Sequence, residues 1–382
     1  METVSATPSS EQLAMLRVDQ VGSLLRPPEL LDALRAIEAG EITEQQLDNV
    51  RQEAIADVVA KQVRIGLPVI TDGEFPRLQF MESFSDVRGF EGGSLAPFAQ
   101  RQAPTAAEDG DPSLDRKVVS KQRVVEPISL VRNRPLDWFR ATQALTTTPV
   151  KASLVGPDRL AQRYDEAGSK VVYASTEEFL EAVVRIEREI IAGLVAAGCR
   201  YVQIDAPSYT AYVDKQATQE MRAAGLDPMD VFARSIEFDN AVIDGFTEVT
   251  FGIHICRGNR RSHWHREGSY DDIAEKLFGE LRHHRILLEY DTERAGTFEP
   301  LRFLSKDTIA VLGLITTKTG RVEEKDELKR RLEAASQYAP IEQLALSPQC
   351  GFASSFEGNL LTENDQWRKF EVMLETAEEV WG

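Results

Sequence analysis

Cysteine is scarce in this sequence: Cys199, Cys256 and Cys350 are the only three among 382 residues. An odd, sparse set makes no disulfide framework, so a cysteine that matters here is expected to bind a metal or act as a nucleophile. Basic charge is also short. Lys and Arg number 44 against 62 Asp and Glu, a net charge of -18, which excludes a general nucleic-acid surface because phosphate binding needs clustered cations. No apolar run approaches the roughly 20 residues that cross a bilayer, so no membrane partner is expected. The opening METVSATPSSEQ lacks a basic stretch leading into an apolar one and is therefore no signal peptide. Residues 1–15 are expected to be a disordered leader to a cytoplasmic protein. Only five histidines occur, and all lie between His254 and His284.

What is present is a repeated alternation. Short, mostly apolar runs at Arg17–Ser23, Pro68–Thr71, Val150–Val155, Tyr201–Asp205, Val249–His254, Ile286–Tyr290, Ile309–Ile315 and Leu344–Ser347 read as strands covered on both faces. Between them lie helical patterns: Thr43–Ile65, which opens with a Thr cap and a Gln three residues on and stops at Gly66, and Thr176–Ala197 before Gly198. Pro228–Asp244, Asp271–His283, Glu323–Gln337 and Glu363–Val380 complete the set. Eight strands alternating with helices predict a (β/α)8 TIM barrel over residues 16–382. A doubly wound open sheet competes, but no glycine-rich dinucleotide loop follows any strand. The stretch from about 82 to 148 interrupts the alternation. Its acidic piece Ala103–Asp115 reads as an exposed loop, and KVVSKQRVVEPISLV reads as a hairpin arm, either a substrate wall or a surface excursion.

The chemistry-bearing residues fall at predicted strand ends. His254 and Cys256 alternate along one strand, so both can face one ion. Glu289 ends the next strand in LLEYD, and Cys350 follows the last in LSPQCGF. In a barrel these ends share one rim. Each residue has a duller reading, since a lone buried cysteine is usually a small core hydrophobe. Together, two sulfurs, an imidazole and a carboxylate select zinc over magnesium or calcium. His263 and His265 are alternative ligands. Cys199 reads as core, and His283 and His284 as cations at a helix end. Zinc with this ligand set has a net charge of about -1 by formal counting. That suits holding a substrate thiolate better than activating water. Glu289 is the ligand most easily displaced by an incoming thiol, and dispersal of the four from 254 to 350 favours catalysis over a structural zinc.

At this point the sequence resembles a known family. HICRGN, LLEYD and LSPQCGF are similar to the zinc motifs of the cobalamin-independent methionine synthases, in their C-terminal catalytic barrel. VGSLLRP, TDGEFPR, VGPDRL and VQIDAP resemble other segments of that barrel, so the likeness spans Val18 to Trp381. The resemblance implies zinc on His254, Cys256, Glu289 and Cys350. It also implies that Ser23, Glu74 and Asp205 hold the amino acid part of homocysteine. Glu289 and Asp205 are the candidate catalytic groups. The implied reaction is methyl transfer to the homocysteine thiol, giving methionine, from a methylated tetrahydrofolate or a related carrier.

Three departures bear on that reading. Only one barrel is present, where the classical synthase has two. Asp-Glu-Pro is replaced by Asp205-Ala206-Pro207, and the histidine that the family places after the seventh strand is absent from GLITTKTG. Asp291, Glu293 and Lys318 are the remaining candidates for protonating a nitrogen leaving group. Alternatives are alkyl transfer to another thiol, as in epoxide–coenzyme M transferases, and a methylated corrinoid protein as donor. A metal-free barrel related to uroporphyrinogen decarboxylase and a zinc-stabilised regulator are further classes. RGNRRSHWHR could meet an anionic tail or be a solvated loop. A homodimer is only the default oligomeric expectation.

Overall fold

The computed structural model describes residues 8–95 and 121–382. Chain order places two extended staves before any regular strand: Val18 pairs with Leu346 and Ile70 with Val150, each through one parallel bridge. Three short strands follow, β1 (Val87–Phe90), β2 (Gly93–Ser94) and β3 (Val124–Leu130), in an antiparallel sheet of order β2-β1-β3. Then come β4 (Ala152–Val155), β5 (Tyr201–Asp205), β6 (Thr250–Ile255), β7 (Arg285–Glu289), β8 (Ile309–Ile315) and β9 (Leu344–Pro348). These six form one parallel sheet in sequential order. The Val18 stave lies against β9 and the Ile70 stave against β4, so the sheet's two edges are carried on round as a TIM barrel.

The two staves are expected as full strands, yet they meet mainly through side chains. Gln20 Nε2 donates to Val69 O at 3.0 Å and Thr71 Oγ1 to Gly22 O at 2.6 Å, while Leu24 N donates to Gly73 O at 3.0 Å. Polar side chains thus take places that a regular ladder would give to backbone groups. The β8 run IAVLGLI is buried at every residue, because the barrel interior covers one face and the outer helices the other.

Helix Glu44–Ile65 has the expected boundaries: Thr43 and Gln46 form a capping box, and Gly66 ends it at φ 85°, which costs glycine little. The helix expected over Asp271–His283 is shorter, Ala274–Glu280. Leu281 is extended there and the Asn240 side chain accepts the Arg282 N–H at 2.9 Å, turning the chain into β7. Part of the expected leader is ordered. Ser9 caps a helix over Ser10–Ala14, and Leu13 is buried against Val69 and Tyr201, an apolar contact that composition alone did not signal. The inserted arm is a sheet built on Val87–Phe90 and Val124–Leu130, while Ala103–Asp115 lies outside the described residues.

The barrel floor is polar and enclosed. Asp19 receives Lys151 Nζ at 2.9 Å, Arg285 Nε at 3.0 Å and the Tyr201 hydroxyl at 2.5 Å, and Lys151 also reaches Gln203 Oε1 at 2.8 Å. Buried charges persist when each is paired and hydrogen-bonded in this way.

Candidate active site and metal centre

The opposite end carries the candidate chemistry. His254 lies within β6 and Cys256 directly after it; Cys350 follows β9 by two residues. Their ligand atoms all lie within 4.8 Å of one another. His254 and Cys350 are buried and Cys256 is half-buried. Strand alternation turns His254 and Cys256 to the same side. Gly351 lets Cys350 approach: a Cβ built there would stand 1.8 Å from Ser23 Oγ and 3.2 Å from Ser23 N.

Neither ring nitrogen of His254 finds a hydrogen-bond partner although both are buried. Such groups are uncommon, and a missing ion is one reason for them. Burial opposes an imidazolium, but the Cys350 sulfur, Asp205 and Glu289 outweigh it and raise the His254 pKa. The Cys350 thiol lowers the pKa of Cys256, whereas Cys256 and burial push Cys350 well up. The two thiols are thus coupled, ionisation of one opposing ionisation of the other, and a soft cation binding both as thiolates would release their protons.

Glu289 ends β7, fully buried, but is not drawn into this group of three. Its Oε1 receives Lys318 Nζ and Arg294 Nη2, each at 3.1 Å, and its Oε2 receives the Arg257 N–H at 2.8 Å. Burial alone would raise its pKa, yet Lys318, the Arg257 amide and Arg294 hold it below the usual carboxylate value.

Beside the group lie Asp205, Glu74 and Ser23, the residues expected to hold an amino acid substrate. Asp205 closes β5, and burial followed by the charge of Glu74 lifts its pKa to about 6. Glu74 adopts φ 62°, a conformation that non-glycine residues rarely take. Its backbone N–H is held by Asp72 Oδ1 at 2.8 Å, and its Oε1 by Arg77 at 2.8 Å. Ser23 is buried against the Cys350 loop, its carbonyl accepting the Phe352 N–H at 2.8 Å.

The remaining candidates fall elsewhere. The three-residue group includes neither His263 nor His265, and burial, then Arg266 and Arg159, depress His265 to about 4. Cys199 is core, its thiol pushed up to about 12 by burial. His283 and His284 are not the helix-end cations expected: the helix stops at Glu280, burial lowers His283 to about 3, and His284 Nδ1 accepts the Phe251 N–H. Lys318 and Asp291 stand 3.5 Å apart beside Glu289.

Sequence reasoning missed Arg77, although it lies three residues past Glu74 in TDGEFPR. It also missed a buried amide pair. Asn259 Nδ2 reaches Gly351 O at 2.6 Å and Asn359 Nδ2 reaches Asn259 Oδ1 at 3.0 Å, tying the two cysteine-bearing loops together. Asparagine carries no sequence signal for such a contact at this separation.

A parallel barrel with a buried His/Cys/Cys group at the carboxyl ends of its strands defines the class, an enzyme built round a candidate metal centre. Residues 18–362 match the family model described as cobalamin-independent synthase, catalytic domain, and the chain belongs to that family, whose enzymes are methyltransferases. The chain is 36% identical over 375 residues to the uncharacterized protein YxjH of Bacillus subtilis, covering 97% of this chain and 96% of that one. It is 24% identical over 343 residues to a methionine synthase of Thermococcus kodakarensis, covering 89% and 88% of the two. Among solved structures it is similar to a Listeria monocytogenes protein assigned as a vitamin-B12-independent methionine synthase. There the TM-score is 0.74 at 28% identity, with 96% and 98% of the chains covered.

Proposed function

We propose that this enzyme transfers a methyl group to the thiol of homocysteine, giving methionine, with zinc held by His254, Cys256 and Cys350. The observation that carries the reading is the convergence of those three ligand atoms within 4.8 Å. Two sulfurs and an imidazole fit zinc, and His254 has a ring nitrogen without a hydrogen-bond partner to serve as that imidazole donor. When bound, zinc would stabilise a substrate thiolate near neutral pH while leaving its sulfur nucleophilic.

The chain's own residues orient the amino acid. Glu74 and Asp205 offer adjacent carboxylates to its ammonium group, which relieves the repulsion that raises the Asp205 pKa. Backbone at Gly22–Ser23 is the candidate receiver of its carboxylate. Ser23 packs on the loop bearing Cys350, so amino acid and sulfur are positioned by one framework. In the transfer, the sulfur's electron pair forms the carbon–sulfur bond as the bond between methyl and donor breaks, that bonding pair leaves with the carrier, and the proton lost from the thiol is balanced by one gained on the carrier's nitrogen. Holding both reactants in line supplies most of the acceleration.

The donor we infer is a methylated tetrahydrofolate or a related methyl carrier. Purified protein should contain about one zinc per chain. It should form methionine from homocysteine with methyl-tetrahydrofolate, methylcobalamin or S-methylmethionine. Failure with all three would remove the homocysteine reading, and protein without zinc would remove the metal site.

A further inference from the structure

We propose that an open cavity between the loops that follow β7 and β8 binds the oxyanion of an organic phosphate or carboxylate. The cavity measures about 360 Å³ and is walled by both loops, by Trp264 and by helix Lys325–Ser336. A free phosphate would leave most of that volume empty, so the ligand is an oxyanion carried on a larger body. None of the wall comes from His254, Cys256 or Cys350, and the site does not depend on a metal there.

Charge selects the ligand. Four cations line the cavity, Arg294, Lys318, Arg321 and Arg331, against Asp291, Glu323 and Glu327. Glu323 is paired with Lys369 at 3.0 Å, and Lys318 and Arg294 share Glu289 at 3.1 Å. With Lys369 and Glu289 included, five cations meet four carboxylates, a local excess of positive charge in a chain of net charge -18. Two of the lining cations form no ion pair among the described residues. Arg321 is exposed, and Arg331 gives its guanidinium to the Tyr290 and Asp291 carbonyls. Arg294 adds a buried Nε–H that meets no acceptor. Guanidinium forks match the oxygens of carboxylate and phosphate. Leu314 and Leu328 give the cavity an apolar side, and Trp264, its ring 4.8 Å from Arg294, gives an aromatic one for the body of the ligand. The placement agrees: β8 is the seventh stave of the barrel, and the loops after the seventh and eighth strands of TIM barrels often hold phosphate.

The test is isothermal titration of the full-length protein with two probes, inorganic phosphate and glutarate. At least one should bind saturably at millimolar concentration, and added sodium chloride should weaken it. Arg321→Gln, a change at an exposed side chain, should weaken that binding about tenfold, the scale of one charge-assisted hydrogen bond, and Arg321→Glu should abolish it. Arg331→Gln should act in the same direction. Zinc content should stay at the wild-type value in all three variants, so a failed metal centre and a failed anion site are told apart. The tighter probe identifies the oxyanion. If it inhibits methyl transfer in competition with the methyl donor, the oxyanion belongs to that donor; inhibition of another kind, or none, assigns it to a separate ligand. Absence of saturable binding by either probe would overturn the proposal, as would binding that Arg321→Glu and Arg331→Gln leave unchanged.

Discussion

The two ends of the barrel are both polar and both buried, and they treat their polar groups in opposite ways. At the floor, Asp19, Lys151, Tyr201, Gln203 and Arg285 answer one another, with Asp19 alone accepting from Lys151, Arg285 and Tyr201. At the rim, both nitrogens of His254 are left over and two neighbouring thiols push each other's pKa apart. Burial costs the same kind of free energy at either end. The floor recovers most of it inside the protein, with Arg285 Nη2 left without a partner, and the rim leaves it to be recovered by something that binds. In a barrel this division follows the known placement of stability below and catalysis above.

The sharpest way to break the comparison is to damage each end in turn. Cys350→Ser should abolish zinc uptake and measurable methyl transfer, with the thermal midpoint close to that of zinc-free wild type. A large loss of stability beyond metal removal would mean that the rim is structural after all. Lys151→Met should do the reverse. Removing one member of a buried pair leaves the other charge stranded and costs about 3–5 kcal/mol. Urea unfolding would show this, while zinc content per folded chain should be unchanged. A drop below about 1 kcal/mol would show that the floor network is not what holds the barrel together.

The floor and the rim were not equally legible in the sequence. The rim was readable because its residues are chemically rare: three cysteines and five histidines leave few combinations, and strand ends limit where they can meet. Their partners were less readable: Lys318 stood out only as a candidate proton donor, and Arg294 and Arg77 are two of 44 cations whose contacts with Glu289 and Glu74 no local pattern marks. The floor was invisible for a related reason. Asp19 and Arg285 are 266 positions apart, and each looks like an ordinary strand-end charge until the barrel turns it inward. The barrel itself could be read from apolar runs such as IAVLGLI. Its first two staves could not be bounded, because Gln20 and Thr71 use side chains where a strand would use backbone. Leu13 is one leucine in a polar stretch, and neither its contact with Val69 and Tyr201 nor the hydrogen bonds that Thr250 and Arg285 give to the Ser10 and Ala14 carbonyls can be read from that stretch.

A smaller change tests how tightly the rim is fixed. In Gly351→Ala the new methyl meets Ser23, and turning the hydroxyl away still leaves Ser23 Cβ at 3.0 Å and N at 3.2 Å. Overpacking of this kind costs about 1–3 kcal/mol. Because Ser23 and Cys350 share that contact, the homocysteine KM should rise as well. Ser23→Ala on top should recover part of the stability. If Gly351→Ala matches wild type in both respects, the close approach has no bearing on the site.

A third buried cluster lies between the two ends in character, and its pH dependence gives the smallest effect. Glu187 and Asp239 belong to helices Thr176–Ala196 and Pro228–Ile243, outside the site. Both Glu187 oxygens and Asp239 Oδ1 lack partners, and Asp239 Oδ2 has only the Tyr209 hydroxyl, at 2.6 Å. Burial, partly offset by Tyr209, raises the Asp239 pKa from 3.8 to about 7, and burial with the charge of Asp239 raises Glu187 well above its usual value. A raised carboxylate pKa means that the folded state holds its proton more tightly than the unfolded chain. The associated stability is complete below about pH 4 and is lost as pH rises through 7. Asp239→Asn is neutral throughout, so it should be more stable than wild type at pH 8, by about 1–2 kcal/mol. The advantage should shrink steadily toward pH 5. Unfolding curves at four pH values decide it: if variant and wild type run parallel from pH 5 to 8, the carboxylate is already ionised, and a solvent molecule or ion serves it as one is proposed to serve His254.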